Sequence, residues 1–60
     1  MDKNLVGRSC KIFINSNGHV LFFSVRRILS ITDTHVSFLD KFDKVYCFRK
    51  MDITEVNEVV

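Results

Sequence analysis

The sequence has no proline, no tryptophan and only two glycines. That scarcity excludes Pro-rich and Gly-rich linkers, and no low-complexity tract or internal repeat is present. There are two cysteines, Cys10 and Cys47, enough for one disulfide at most. The opening "MDKNLVGR" has no apolar core of signal-peptide length, so both thiols are expected to be reduced and buried as small hydrophobes. No long apolar run exists either. The longest, Val20 to Phe23, falls far short of the roughly 20 residues a membrane helix needs. These absences predict a soluble, cytoplasmic protein with no membrane association.

A strong excess of one charge is missing too. Nine basic and seven acidic residues give a formal charge of +2 and a pI near 8.7. Such a balance permits nucleic-acid binding without demanding it.

What is present is apolar and short in period. The chain is 47% hydrophobic and holds six phenylalanines, too apolar for a disordered segment. Sixty residues (1–60) make one domain. A chain of that length buries only about 60% of the surface it exposes when unfolded. Such domains often need a disulfide, a metal or a partner chain. Segments rich in Val, Ile, Phe, Thr and Tyr recur at strand length, and no stretch sustains a 3.6-residue apolar period.

Five strands are expected. The first runs from Arg8 to Asn15, with Cys10, Ile12 and Ile14 alternating against Ser9, Lys11 and Phe13. Asn17-Gly18 then suits a type I′ turn, whose two central residues need positive φ. The second strand is long, His19 to Thr32, with Leu21, Phe23 and Val25 on one face. Continuing that face would bury Arg27, so a bulge or bend is expected near Arg26-Arg27. A turn at Thr32 to His35 leads to a third strand, with Val36 and Phe38 facing one way and Ser37 and Leu39 the other. After the charged turn Asp40 to Lys44, a fourth strand covers Val45 to Arg49. Both of its faces are apolar, which leaves its inner face unassigned. One 3-10 turn over Arg49 to Asp52 precedes a last strand, Ile53 to Val56, which Val59-Val60 extend or end. The fold class is all-β, a five-stranded SH3-like small barrel with a short 3-10 turn before the last strand. The expected core is Cys10, Ile12, Ile14, Leu21, Phe23, Val25, Ile31, Val36, Phe38, Phe48, Ile53 and Val56.

Two segments, about Gly7 to Val56 in all, resemble the Sm-like family and, within it, the bacterial Hfq branch. "CKIFINSNGHVLFFSV" (Cys10 to Val25) is similar to the family's opening pattern. Gly18 stands at the turn glycine, and Ile12, Ile14, Leu21 and Val25 stand at core positions. "VYCFRKMDITEV" (Val45 to Val56) is similar to the second Sm motif. Here Phe48 is followed by a basic pair, a short turn and the aliphatics Ile53 and Val56. The resemblance implies an RNA site in which Asp33, with His35 near the position of a family Asn, meets the run after the fourth strand. That run is Tyr-Lys-His in the Hfq branch and Arg49-Lys50-Met51 here, with Lys50 retained. It also implies closed rings, in which the fourth strand of one subunit pairs with the fifth of the next. The family's leading helix has only Met1 to Val6 to match it, and Phe23 is bulkier than the usual residue at the bend.

The residues themselves argue for binding rather than catalysis. Gly7 and Gly18 are isolated and form no phosphate loop. A Cys-His pair drawn from Cys10 or Cys47 with His19 or His35 lies on apolar strands, where thiols are inert. The same four residues lack the paired spacing of structural zinc sites. No enzyme activity, metal or cofactor is therefore expected. Single-stranded RNA needs cations for phosphates and flat faces for bases. Arg8, Lys11, Arg26, Arg27, Arg49 and Lys50 supply charge. His35 and Tyr46 supply planar groups, and Phe13 and Phe22 are expected on the exterior. The outward apolar residues Phe13, Phe22 and Leu39 call for a cover, and the fourth strand, apolar on both faces at Val45, Tyr46 and Cys47, suits a strand buried in a joint; the cover is either a homo-oligomer or a protein partner. Two functions result. One is a self-associating Sm-like barrel that binds single-stranded RNA as a post-transcriptional regulator. The alternative is an interaction module, encoded by a phage or mobile element, with no nucleic-acid role.

Overall fold

The computed structural model describes residues 3–59. Val60 and the first two positions of the Met1 to Val6 segment lie outside them. A 3-10 turn at Lys3–Leu5 leads into five strands: β1 (Cys10–Ser16), β2 (His19–Ile31), β3 (His35–Asp40), β4 (Val45–Arg49) and β5 (Ile53–Glu58). A second 3-10 turn, Lys50–Asp52, joins β4 to β5. The strands form one antiparallel sheet in the order β4-β3-β2-β1-β5. β4 and β5 are therefore its two edges, and the hydrogen-bonded ladder is open between them.

The hairpin and the charged turn follow from local chemistry. Asn17 and Gly18 take φ of 51° and 82°, as a type I′ turn requires. That turn fixes Phe13 opposite Phe22 and Ile12 opposite Phe23. In the β3–β4 loop, the buried Asp40 carboxylate accepts the amides of Phe42 and Lys44, each at 2.9 Å. Asp43 donates its amide to the Asp40 carbonyl and takes φ 63°. This is a three-residue loop built on a turn with a left-handed closing residue.

β2 bends at two places. Opposite β3, Val25 pairs with Asp40 and Arg27 with Leu39, so Arg26 is an extra residue. Ile28 then pairs with Phe38 and Ser30 with Ser37, so Leu29 is a second one. Each extra residue resets the alternation of faces. Val25, Ile28 and Ile31 are consequently all buried at a spacing of three, while Arg26 and Arg27 both face water. The bend at Arg26-Arg27 is where the charge pattern places it. The second bulge was not foreseen, and Ile28, wholly buried, was missed from the expected core for that reason. The chain ahead of β1 covers this half of β2. Gly7 and Arg8 bond the carbonyl and amide of Ile28, and Ser9 Oγ donates to the Arg26 carbonyl at 2.7 Å.

The core is Cys10, Ile12, Ile14, Val25, Ile28, Ile31, Val36 and Phe38, with Phe23, Tyr46, Phe48, Ile53 and Val56 packed against it. β4 turns Tyr46 and Phe48 inward and exposes Val45 and Cys47. Two expectations are corrected. Leu21 is 39% exposed. It lies on the outer half of β2, which β3 does not flank, so its cover is incomplete. Cys47 is exposed, whereas Cys10 is buried, and both thiols are free. The cause is the parity of β4, which gives the inner face to the larger rings.

Candidate nucleic-acid interface

The β2–β3 turn and the Lys50–Asp52 turn are separated in the chain by β3, its loop and β4, and the sheet brings them together. His35 pairs with Arg49 across β3 and β4. Lys50 donates its amide to the Thr34 carbonyl at 2.8 Å. Asp33, Thr34, His35, Arg49, Lys50 and Met51 consequently line one groove of about 390 Å³.

The β2–β3 turn is held by its own side chains. Thr32 Oγ accepts the His35 amide at 3.0 Å, and the Thr32 amide donates to the His35 carbonyl at 2.9 Å. A hydroxyl bonding the backbone in this way replaces the strand ladder with a fixed turn. Thr34 Oγ and His35 Nδ1 share a hydrogen bond of 2.8 Å. That bond orients the exposed imidazole and leaves Nε2 for a ligand. Arg49 donates to both oxygens of Asp52, at 2.9 and 3.4 Å. Lys50 makes no ion pair among the described residues. The groove thus offers one unpaired ammonium, one paired guanidinium, an oriented imidazole and the apolar Met51, which is 80% exposed. Cations suit phosphates, and flat or soft apolar groups suit base faces.

The structure therefore unites Asp33, His35, Arg49 and Lys50. It does not add Arg26 and Arg27 to them. Those two line a separate hollow with Leu39. Leu39 is four residues along β3 from His35, about 13 Å at the rise of a strand. Arg26 also pairs with Asp43, while Arg27 has no ion pair among the described residues. Thr34 and Met51 were missed. Their signal was only adjacency to the predicted residues, and neither type marks a site by itself.

The candidates for oligomer or partner contact fall in two places. Phe13 and Phe22 are cross-strand partners with ring centroids 5.1 Å apart, and Phe22 is 53% exposed. Val45 and Cys47 lie on the outward face of edge strand β4. Tyr46 faces the other way, into an aromatic cluster with Phe23, Phe38 and Phe48.

Burial pushes the Cys10 thiol up from its ordinary value of 9.0, and the nearby Glu58 carboxylate adds to the effect. That direction is opposite to what a nucleophile needs. Among the described residues, no three His, Cys, Asp or Glu side chains converge as metal ligands. Among the same residues, no helix is long and apolar enough to cross a membrane. No family model matches the chain, and no curated protein or solved structure matches it significantly.

Proposed function

We propose that this chain is a small Sm-like barrel that self-associates and binds single-stranded RNA at the groove between its β2–β3 turn and its Lys50–Asp52 turn. The observation that carries this reading is the convergence of Asp33, His35, Arg49 and Lys50 on that one groove. These are the residues the Sm-like resemblance assigns to RNA. Lys50 takes a phosphate, His35 and Met51 flank a base, and Asp33 and Thr34 offer polar groups to its edge.

Self-association is supported by the edges. The Sm-like resemblance joins β4 of one subunit to β5 of the next, and these are the two edge strands here. Edge strands carry unpaired backbone groups that invite such pairing. Lys44 precedes β4 and Glu55 lies on β5, neither with an ion pair among the described residues, whereas Arg49 is paired with Asp52 and Glu58 with Arg8. Lys44 and Glu55 thus give the two edges opposite free charges, which favours a head-to-tail joint, and such joints form rings where their rotation closes.

The test is fluorescence anisotropy with labelled A-rich and U-rich single-stranded RNA over a salt series. Binding that weakens steadily with salt is expected, because phosphate contacts release counterions. Binding that is absent, or that survives His35→Ala with Lys50→Ala unchanged, rejects the RNA reading.

A further inference from the structure

A second groove, of about 450 Å³, lies where the β3–β4 loop meets β2. Its walls include Phe22 and Phe23 of β2, Tyr46 of β4, and Lys41, Phe42 and Lys44 of the loop. It is well separated from the His35 groove. β3 runs from His35 at one to Asp40 at the other, about 17 Å at the rise of a strand.

Three observations define what this groove can hold. First, its apolar groups are displayed by a fixed frame. Phe42 is 70% exposed and Phe22 53% exposed. Yet the Phe42 amide is bonded to Asp40, and the Lys41 amide donates to the Ser24 carbonyl at 3.1 Å. A large ring held in water by a bonded loop is an anchor surface of the kind protein partners cover.

Second, the rim is electropositive. Lys41 and Lys44 have no ion pair among the described residues. Of the loop's two carboxylates, Asp43 pairs with Arg26, while the buried Asp40 lines the groove and accepts two backbone amides. Lys41 and Lys44 therefore outnumber the one carboxylate at the groove. Lys41 Nζ sits 5.1 Å from the Phe42 ring centroid, which keeps its charge beside the ring.

Third, the groove is short. Its volume suits one or two inserted side chains.

We infer that this groove binds a short acidic segment of another protein, with a Phe or Leu side chain inserted between Phe22 and Phe42 and flanking Asp or Glu residues paired with Lys41 and Lys44. This goes beyond the RNA reading and does not depend on it, because no residue is shared between the two grooves.

The experiment is selection of a random peptide library on the intact protein, followed by affinity measurement and 15N amide mapping with the enriched peptide. Lys41, Phe42 and Lys44 are all exposed, so their variants keep the fold. The wild type is expected to enrich acidic peptides with an aromatic or leucine anchor. These should shift the amides of Ser24, Phe42 and Lys44. The dissociation constant should rise at least about tenfold for Phe42→Ala and for Lys41→Glu. Lys50→Ala should leave it unchanged, which separates this site from the RNA groove. The inference is overturned by no enrichment, by peptides indifferent to both variants, or by shifts elsewhere. It is equally overturned if a single-stranded RNA oligomer displaces the peptide and shifts the same amides, since the groove then belongs to nucleic acid.

Discussion

Phe23 and Tyr46 stand on strands that are not neighbours, yet their ring centroids are 4.9 Å apart. β3 lies between β2 and β4, so the sheet must curl for the two rings to meet. Phe38 of β3 completes the contact, with centroids 5.3 Å from Phe23 and 5.8 Å from Tyr46. In a chain this small, that cluster holds the curvature.

Removing its centre should therefore be severe. Phe38 and Ile28 are both wholly buried. Phe38→Ala is expected to cost about 3–5 kcal/mol and Ile28→Ala about 2–5 kcal/mol. Phe42→Ala, at an exposed position, should change stability by no more than about 0.5 kcal/mol. Urea titration followed by circular dichroism measures all three. A Phe38→Ala loss as small as that of Phe42→Ala would falsify the placement of this core.

The hairpin turn has its own requirement. Gly18 takes φ +82° with open space around it, so an added methyl meets no neighbour but forces a left-handed backbone. Gly18→Ala should destabilise by about 1–2 kcal/mol through that conformation alone. The same urea titration reads it, and no loss would mean that the turn rearranges.

The two thiols should behave differently. Cys47 is exposed and Cys10 buried. A thiol reagent should modify Cys47 in the folded protein and Cys10 only on unfolding. The raised Cys10 pKa also has a stability consequence. The folded state favours the neutral thiol, so its contribution is fully present below the ordinary value of 9.0 and falls as pH rises through it. Cys10→Val should flatten stability measured from neutral pH to above 9.0. An unchanged slope would exclude Cys10 as its source.

The RNA groove predicts a difference among cations. Lys50→Ala should weaken RNA binding at every sequence and lower the salt slope by about one. Arg26→Ala should do less, since Arg26 is paired with Asp43 and lies at the far end of β3. Anisotropy over a salt series compares them, and equal losses would place the RNA elsewhere.

The proposed joint between edges is read by light scattering. A mass several times the 7.0 kDa of one chain is expected. Glu55→Lys should lower it through a like charge facing Lys44, and a further Lys44→Glu should restore it in part. A monomer in the wild type would remove the joint.

Local rules reached far into this fold. The Asn17-Gly18 turn, the alternation along β1 and β3, and the span of β4 follow from residue chemistry within a few positions. The bend at Arg26 was legible because burying Arg27 is costly. The bulge at Leu29 was not, since Leu29 and Ser30 carry no comparable penalty on either face. The inner face of β4 was equally hidden, because Val45, Tyr46, Cys47 and Phe48 are all apolar and only the cluster around Phe23 decides between them. At the groove, Asp33, His35, Arg49 and Lys50 came from the family resemblance. The pinning of His35 by Thr34, and the contribution of Met51, needed the two turns in space.

The double bulge in β2 has a genetic consequence. Without Arg26 and Leu29, residues Val25, Arg27, Ile28, Ser30 and Ile31 would match Asp40, Leu39, Phe38, Ser37 and Val36 one for one. Every inward residue would stay inward. Inside-outside pattern and bend are thus written by different letters of the same strand. A descendant one or two codons shorter at these points would keep its buried face, lose its curl, and separate Phe23 from Tyr46.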